Sequence, residues 1–194
     1  MKIKEIFYSL QGEGAHTGQP AIFVRFTGCN LACPFCDTDF KGGDDYTEEE
    51  LVREIEKYLP CRFVVFTGGE PTLQLTDSLI SRLHEEGFYL AIETNGTREY
   101  PRGIDWITVS PKNDFCAKAN LYPYNISAAE VKVVYNGENA PETYEKLGEM
   151  KYIQPCDTGD PVQNEEIIKK SVEWLKAHPD WRLSLQTQKI INVR

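Results

Sequence analysis

Seven short runs rich in Val, Ile, Phe and Tyr limit what this chain can fold into. They are "AIFVRFTG" (21–28), "RFVVFTGG" (62–69), "FYLAIETNG" (88–96), "WITVSPK" (106–112), "EVKVVYN" (130–136), "KYIQP" (151–155) and "RLSLQTQK" (182–189). Several are apolar throughout, as strands covered on both faces of a parallel sheet must be. Helical patterns separate some of them, at 47–59, 75–87, 141–150 and 164–178. The first opens with Thr47 and Glu50 in capping-box spacing, and the second ends on Gly87, suited to a left-handed stop. Between the third, fourth and fifth runs lie "TREYPRGID" and "NDFCAKANLYPYNISA", too rich in breakers for a full helix. A closed eightfold barrel takes about 250 residues. At 194 residues, the expectation is one domain over 1–194. Its fold would be α/β, a partial, open parallel β/α barrel of about six strands with fewer helices than strands. A doubly wound open sheet is the second architecture. The run at 21–28 is taken as the first strand.

Polar motifs end nearly every run: TGC, TGGEP, ETNG, SPK, QP and QTQK. In parallel α/β folds that edge of the sheet carries the active site. The net charge of −9 argues against nucleic acid as a partner. No apolar run approaches the roughly 18 residues of a membrane span. The N-terminus has no apolar stretch of the secretory type. Six cysteines without signs of secretion point to free thiols in a reducing, cytoplasmic compartment.

Three of those cysteines stand as Cys29-x3-Cys33-x2-Cys36. A structural zinc site wants four ligands, usually in two separated pairs, and no neighbouring residue completes this one. A thiolate triplet can instead hold three irons of a [4Fe–4S] cubane and leave the fourth iron for a small molecule. Electron-transfer ferredoxins use four cysteines per cluster. The spacing resembles the radical S-adenosylmethionine superfamily. There the methionyl amine and carboxylate chelate the open iron, and reductive cleavage releases a 5′-deoxyadenosyl radical. The resemblance implies that Gly68, Gly69 and Glu70 receive the methionyl amine and that Glu93 and Asn95 lie near the ribose. It also puts Ser110, Pro111 and Lys112 at the next strand end, and Gln154, Pro155, Cys156 and Asp157 near the adenine.

The stretch "FYSLQGEGAHTGQPAIFVRFTGCNLACPFCDT", with TGGEP, ETNG, SPK, QP and the terminal LQTQK, resembles the 7-carboxy-7-deazaguanine synthase family over essentially the whole chain. That resemblance implies conversion of 6-carboxy-5,6,7,8-tetrahydropterin to 7-carboxy-7-deazaguanine with loss of ammonia, in 7-deazapurine (queuosine) biosynthesis. It implies magnesium, an external electron donor such as a flavodoxin, and a homodimer. By the same likeness Leu10, Gln11, Gly12 and Glu13 hold the pterin and Thr67 touches it. Arg25 pairs with its carboxylate, and Arg194 at the C-terminus contacts it. Thr38 supplies a hydroxyl to magnesium, with Asp37 and Asp39 as rival ligands. Gln188 stands where the family more often has a histidine, and no role is assigned to it. Cys116 and Cys156 are expected as buried free thiols rather than a second cluster, and no role is assigned to Cys61. Two alternatives share parts of the pattern: a related activase making a glycyl radical on a partner protein, and a non-enzymatic iron–sulfur carrier. The activase leaves SLQGEG and Arg25 without a purpose. The carrier requires a fourth cysteine ligand.

Overall fold

The computed structural model describes residues 1–120 and 128–194. Part of the breaker-rich stretch at 113–128 therefore lies outside the described residues. Among the described residues, one sheet of nine strands runs in the order β3-β1-β2-β4-β5-β6-β7-β8-β9. Six substantial strands are mutually parallel: β2 (Pro20–Phe26), β4 (Phe63–Gly68), β5 (Tyr89–Thr94), β6 (Trp106–Val109), β7 (Ala128–Tyr135) and β8 (Gly148–Pro155). A two-residue β9 (Arg182–Leu183) extends them in the same sense. The sheet is open and carries fewer helices than strands, as expected.

Its other edge departs from the sequence reading. The strand before the cysteines is the second in the chain, not the first. Residues Lys2–Leu10 form β1, which pairs antiparallel with β2 and with the two-residue β3 (Asp44–Asp45). Its pattern "KIKEIFYSL" buries only Ile3 and Phe7 fully. A strand of such mixed polarity shows no continuous apolar run, so its membership is fixed by its partners.

Helices α1 (Glu48–Glu56) and α2 (Asp77–Glu85) cover one face of β1, β2, β4 and β5, where Ile22, Val24, Phe26, Val64, Phe66, Leu90 and Ile92 meet Leu51, Ile55, Leu79 and Leu83. The capping box of α1 forms in full: Thr47 Oγ1 accepts from Glu50 N (3.2 Å) and Glu50 Oε2 accepts from Thr47 N (2.9 Å). After α2, Gly87 takes φ +79°, the left-handed stop its position demanded. Helix α3 (Pro161–Ala177) starts a few residues before the periodic pattern because Asp160 caps it, accepting from Val162 N (2.8 Å) and Gln163 N (3.3 Å).

Two expected elements change. The helix at 141–150 is a 3-10 turn over Pro141–Leu147, and its last residues open β8. The run at 182–189 keeps two strand residues and then turns into α4 (Thr187–Ile190), which returns to the N-terminal loop through a Thr187 N to Gly12 O bond (3.0 Å). The alternation of side chains along the parallel strands leaves Arg25, Thr67, Glu93, Thr108, Glu130 and Lys132 on the face away from α1 and α2. Register pairs Arg25 with Thr67, Glu93 with Thr108, and Thr108 with Glu130. All of this polar row but Glu130 lines the floor of the site.

Candidate active site

A cavity of about 590 Å³ opens on that face, at the C-terminal ends of the parallel strands. It is lined by residues of both cysteine and strand-end motifs, by the N-terminal loop and by the C-terminus. The size suits a small molecule with its cofactor.

The cysteine loop, 28–40, has no regular ladder of its own. Its base is pinched by Gly28 N donating to Phe40 O (3.1 Å), and Lys4 ties it to β1 through Asp39 (2.8 Å) and Lys41 O (2.9 Å). Cys29, Cys33 and Cys36 all line the cavity, and burial pushes the Cys29 and Cys33 thiols up. Lys112, whose ammonium lies 6.0 Å from the Phe35 ring, opposes that rise at Cys33. Among the described residues no three His, Cys, Asp or Glu side chains are gathered closely enough to hold a metal ion. The donor set nevertheless fits an iron–sulfur cluster: three soft thiols on one cavity wall, on a segment without a ladder to resist their convergence.

Next to Cys29, the paired glycines let two loops interlock. Gly69 N donates to Phe26 O (3.0 Å) and Glu70 N to Gly28 O (2.9 Å). A Cβ on Gly69 would fall 1.7 Å from Gly28 O. Gly68, at φ +120°, would place one 2.4 Å from Phe26 O. Backbone, not side chain, is thus presented to whatever sits beside Cys29. Glu70, expected at the methionyl amine, is buried behind this surface and does not line the cavity. Its Oε1 accepts from Thr72 N (3.1 Å), Thr72 Oγ1 (2.7 Å) and Thr94 Oγ1 (2.7 Å), and its Oε2 from Asn95 N (2.8 Å). The carboxylate therefore locks the GGEP loop to the end of β5. Asn95 does line the cavity, with Nδ2 on Asn30 Oδ1 (3.0 Å) and Oδ1 on Thr97. Pro111 stays outside the lining, while its neighbours Ser110 and Lys112 are in it. Lys112 donates to Ser110 O (3.0 Å) and also meets Ser110 Oγ. Burial, then the nearby Lys132 charge, bring its ammonium down to about 8.

A second polar centre gathers around the N-terminal loop. Leu10, Gln11, Gly12 and Glu13 all line the cavity. Gln11 ties this loop to β5, its Nε2 donating to Glu93 Oε1 (3.0 Å) while its Oε1 accepts from Glu13 N (3.1 Å). Thr67 Oγ1 reaches the other Glu93 oxygen at 3.4 Å. Glu13 meets Lys132 through Oε2 and accepts at Oε1 from Gln186 Nε2 and Gln188 Nε2, both at 3.1 Å. Burial alone would raise the Glu13 carboxyl, but the Lys132 charge and these donors hold it down at about 2. Lys132 in turn is buried and lies 3.8 Å from Glu93; its neighbouring carboxylates outweigh burial and raise it above the usual lysine range. Gln188, left without a role, belongs to this network. Its Oε1 is buried without a hydrogen-bond partner among the described residues.

At the mouth, Arg25 Nε donates to Glu5 Oε1 (2.9 Å), and Arg194 meets the other Glu5 oxygen. Both guanidinium groups lie over the Phe7 ring, at 6.0 and 5.1 Å. Thr38 lines the cavity, and so do its neighbours Asp37 and Asp39. Both acids are held by lysines, Asp37 by Lys189 (2.7 Å) and Asp39 by Lys4 (2.8 Å). Lys189 also holds Asp157 (2.8 Å), which lowers that carboxyl to about 2 with help from Gly159 N and Asn164. Gln154, Pro155 and Cys156 complete that wall. None of the six cysteines is in a disulfide.

Sequence reading missed Glu5, Lys132, Gln186, Lys189 and Asn30. Only Lys132 carried a signal. Glu130 and Lys132 are two charges inside the otherwise apolar run "EVKVVY", on the same strand face, and a buried charge asks for a partner.

Residues 23–113 match the radical SAM superfamily. Over its full length the chain is 49% identical to the 7-carboxy-7-deazaguanine synthase of Bacteroides thetaiotaomicron, covering 98% of that protein. It is 42% identical to the enzyme of that name from Caulobacter vibrioides, with 98% of each chain covered. Its fold superposes on QueE from Escherichia coli with a TM-score of 0.78 and 31% identity, covering 96% of this chain and 93% of that one. The protein belongs to the 7-carboxy-7-deazaguanine synthase family of radical S-adenosylmethionine enzymes.

Proposed function

We propose that the chain converts 6-carboxy-5,6,7,8-tetrahydropterin to 7-carboxy-7-deazaguanine with loss of ammonia, in queuosine biosynthesis. The observation that carries this reading is the convergence of the cysteine triplet, the glycine cradle, Glu13 and Arg25 on one cavity. A [4Fe–4S] cluster and S-adenosylmethionine, when bound, supply a hydrogen-abstracting radical.

The protein's share is placement. Cys29, Cys33 and Cys36 hold the cluster. The backbone of Gly68 and Gly69 admits the methionyl end of S-adenosylmethionine. Ser110 and Lys112 meet its carboxylate, Glu93 and Asn95 lie by its ribose, and Gln154, Pro155, Cys156 and Asp157 border its adenine. Glu70 fixes the cradle from behind. Leu10, Gln11, Gly12 and Thr67 border the pterin, and Glu13, kept ionised, accepts from its amino edge. Arg25 takes the substrate carboxylate by a charge-assisted bond, with Arg194 beside it. Magnesium sits at Thr38. Asp37 and Asp39 are engaged by lysines, which favours the hydroxyl as the protein's oxygen ligand, with waters and substrate completing the shell. The chain acts as a single domain over 1–194, as a homodimer in the cytoplasm, reduced by an external donor such as a flavodoxin. Unpaired cysteines support a reducing compartment.

Iron analysis after anaerobic reconstitution tests the site. Wild type is expected to hold one four-iron cluster per chain and Cys33→Ala to lose it. A full cluster in Cys33→Ala contradicts the reading. An intact cluster that cleaves S-adenosylmethionine yet never consumes the pterin favours the activase instead.

A further inference from the structure

Two guanidinium groups share a single carboxylate at the mouth of the cavity, and Glu5 supplies it. Glu5 comes from β1, Arg25 from the adjacent β2, and Arg194 ends the chain. Glu5 and Arg25 face each other in the β1–β2 register, so the backbone sets their pairing. The ion pair is only partly exposed, the Glu5 side chain at 22% and that of Arg25 at 23%. Glu5 takes the Nε edge of Arg25. The two terminal nitrogens of that guanidinium make no hydrogen bond among the described residues, so its end-on fork is free for a second carboxylate. Arg194 is held beside it by Glu5, by the Phe7 ring and by Ser9 Oγ donating to Arg194 O (2.5 Å).

We propose that Glu5 sets which anions the site accepts. It aims the Arg25 fork into the cavity and offsets one of the two guanidinium charges, leaving the free fork matched by one carboxylate. Without that charge the mouth of the cavity would gain one unit of positive charge and favour doubly charged competitors. Nothing in the reaction calls for Glu5 to touch the reacting atoms; it is a specificity-determining residue acting through Arg25.

This rests on the pterin reading above, because it takes the substrate carboxylate as the guest of Arg25. The experiment uses the anaerobic, cluster-loaded protein with S-adenosylmethionine, at matched ionic strength. Binding of 6-carboxytetrahydropterin is compared with that of tetrahydropterin lacking the carboxylate, and then competed with acetate and with malonate. Wild type is expected to prefer the carboxylated pterin. Glu5→Gln, of the same shape without the charge, is expected to shift the malonate-to-acetate preference toward malonate by about tenfold, because opposite charges at contact distances across a partly solvated site differ by this order. Glu5→Asp, which keeps the charge, is expected to retain the wild-type ratio. An unchanged ratio in Glu5→Gln, or an equal shift in Glu5→Asp, overturns the role of Glu5 while leaving the pterin reading intact. A wild type indifferent to the pterin carboxylate overturns both.

Discussion

Lys132 and Glu13 show how single residues set the chemistry of this cavity. Lys132 is buried, and its charge is tolerable only because Glu13 and Glu93 face it. Lys132→Met would leave Glu13 buried with two neutral amides for company, and is expected to destabilise the fold by about 3–5 kcal/mol in chemical denaturation. Because the Glu13 carboxyl falls from 4.5 to about 2 on folding, the unfolded chain takes up its proton first. The stability this gives is complete above the ordinary carboxylate range and is lost as pH falls toward 2. Acid unfolding should show that loss in wild type and a weaker one in Glu13→Gln. Lys112 has the opposite sign. Its folded value of about 8 lies below the ordinary 10.5, so keeping it charged costs stability at neutral pH, and the cost fades as pH rises between those values. Its attraction for a carboxylate fades through the same window. Affinity of the cluster-loaded protein for S-adenosylmethionine is expected to drop as pH rises through about 8, and Lys112→Arg, permanently charged, should flatten that limb.

Elements differ in how openly the sequence declares them. The capping box of α1 was legible because both partners are local, and Thr47→Ala is expected to cost about 1 kcal/mol in thermal or urea unfolding. The parallel strands were legible because burial on both faces leaves only apolar residues. β1 was not, since its polar positions are satisfied by residues far along the chain: Glu5 by Arg25, Ser9 by the C-terminus, and Lys4 by Asp39. The same reason hid half of the second polar centre. Glu13 stood out within a motif, whereas Gln186 and Lys132 matter only because the fold brings them to it. The short pattern at 141–150 misled because two turns of helical periodicity can equally be a 3-10 segment leading into a strand. Loop interlock is the sharpest constraint at this scale. Gly69→Ala must push Gly28 away from a 1.7 Å collision. It is expected to abolish S-adenosylmethionine binding while leaving the helical circular dichroism of the distant α3 near wild type.

At the scale of the whole molecule, the open sheet explains why so small a chain can house the site. Six parallel strands put their C-terminal ends on one rim, and the antiparallel β1 adds a wall that carries Glu5 and Phe7 into the same cavity. The C-terminal residues return to that wall, so the first and last segments of the chain close it together. The chain is acidic, at −9 overall, so an anionic substrate must be met by individual groups such as the Arg25 fork and Lys112 rather than by the surface as a whole. The central claim is that this enclosure contracts one particular bicyclic ring. The most direct measurement is mass spectrometry of the products formed anaerobically from 6-carboxy-5,6,7,8-tetrahydropterin by the reconstituted protein with S-adenosylmethionine, magnesium and a reductant. The account predicts 7-carboxy-7-deazaguanine together with an equal amount of ammonia. Unchanged pterin beside steadily cleaved S-adenosylmethionine would contradict it.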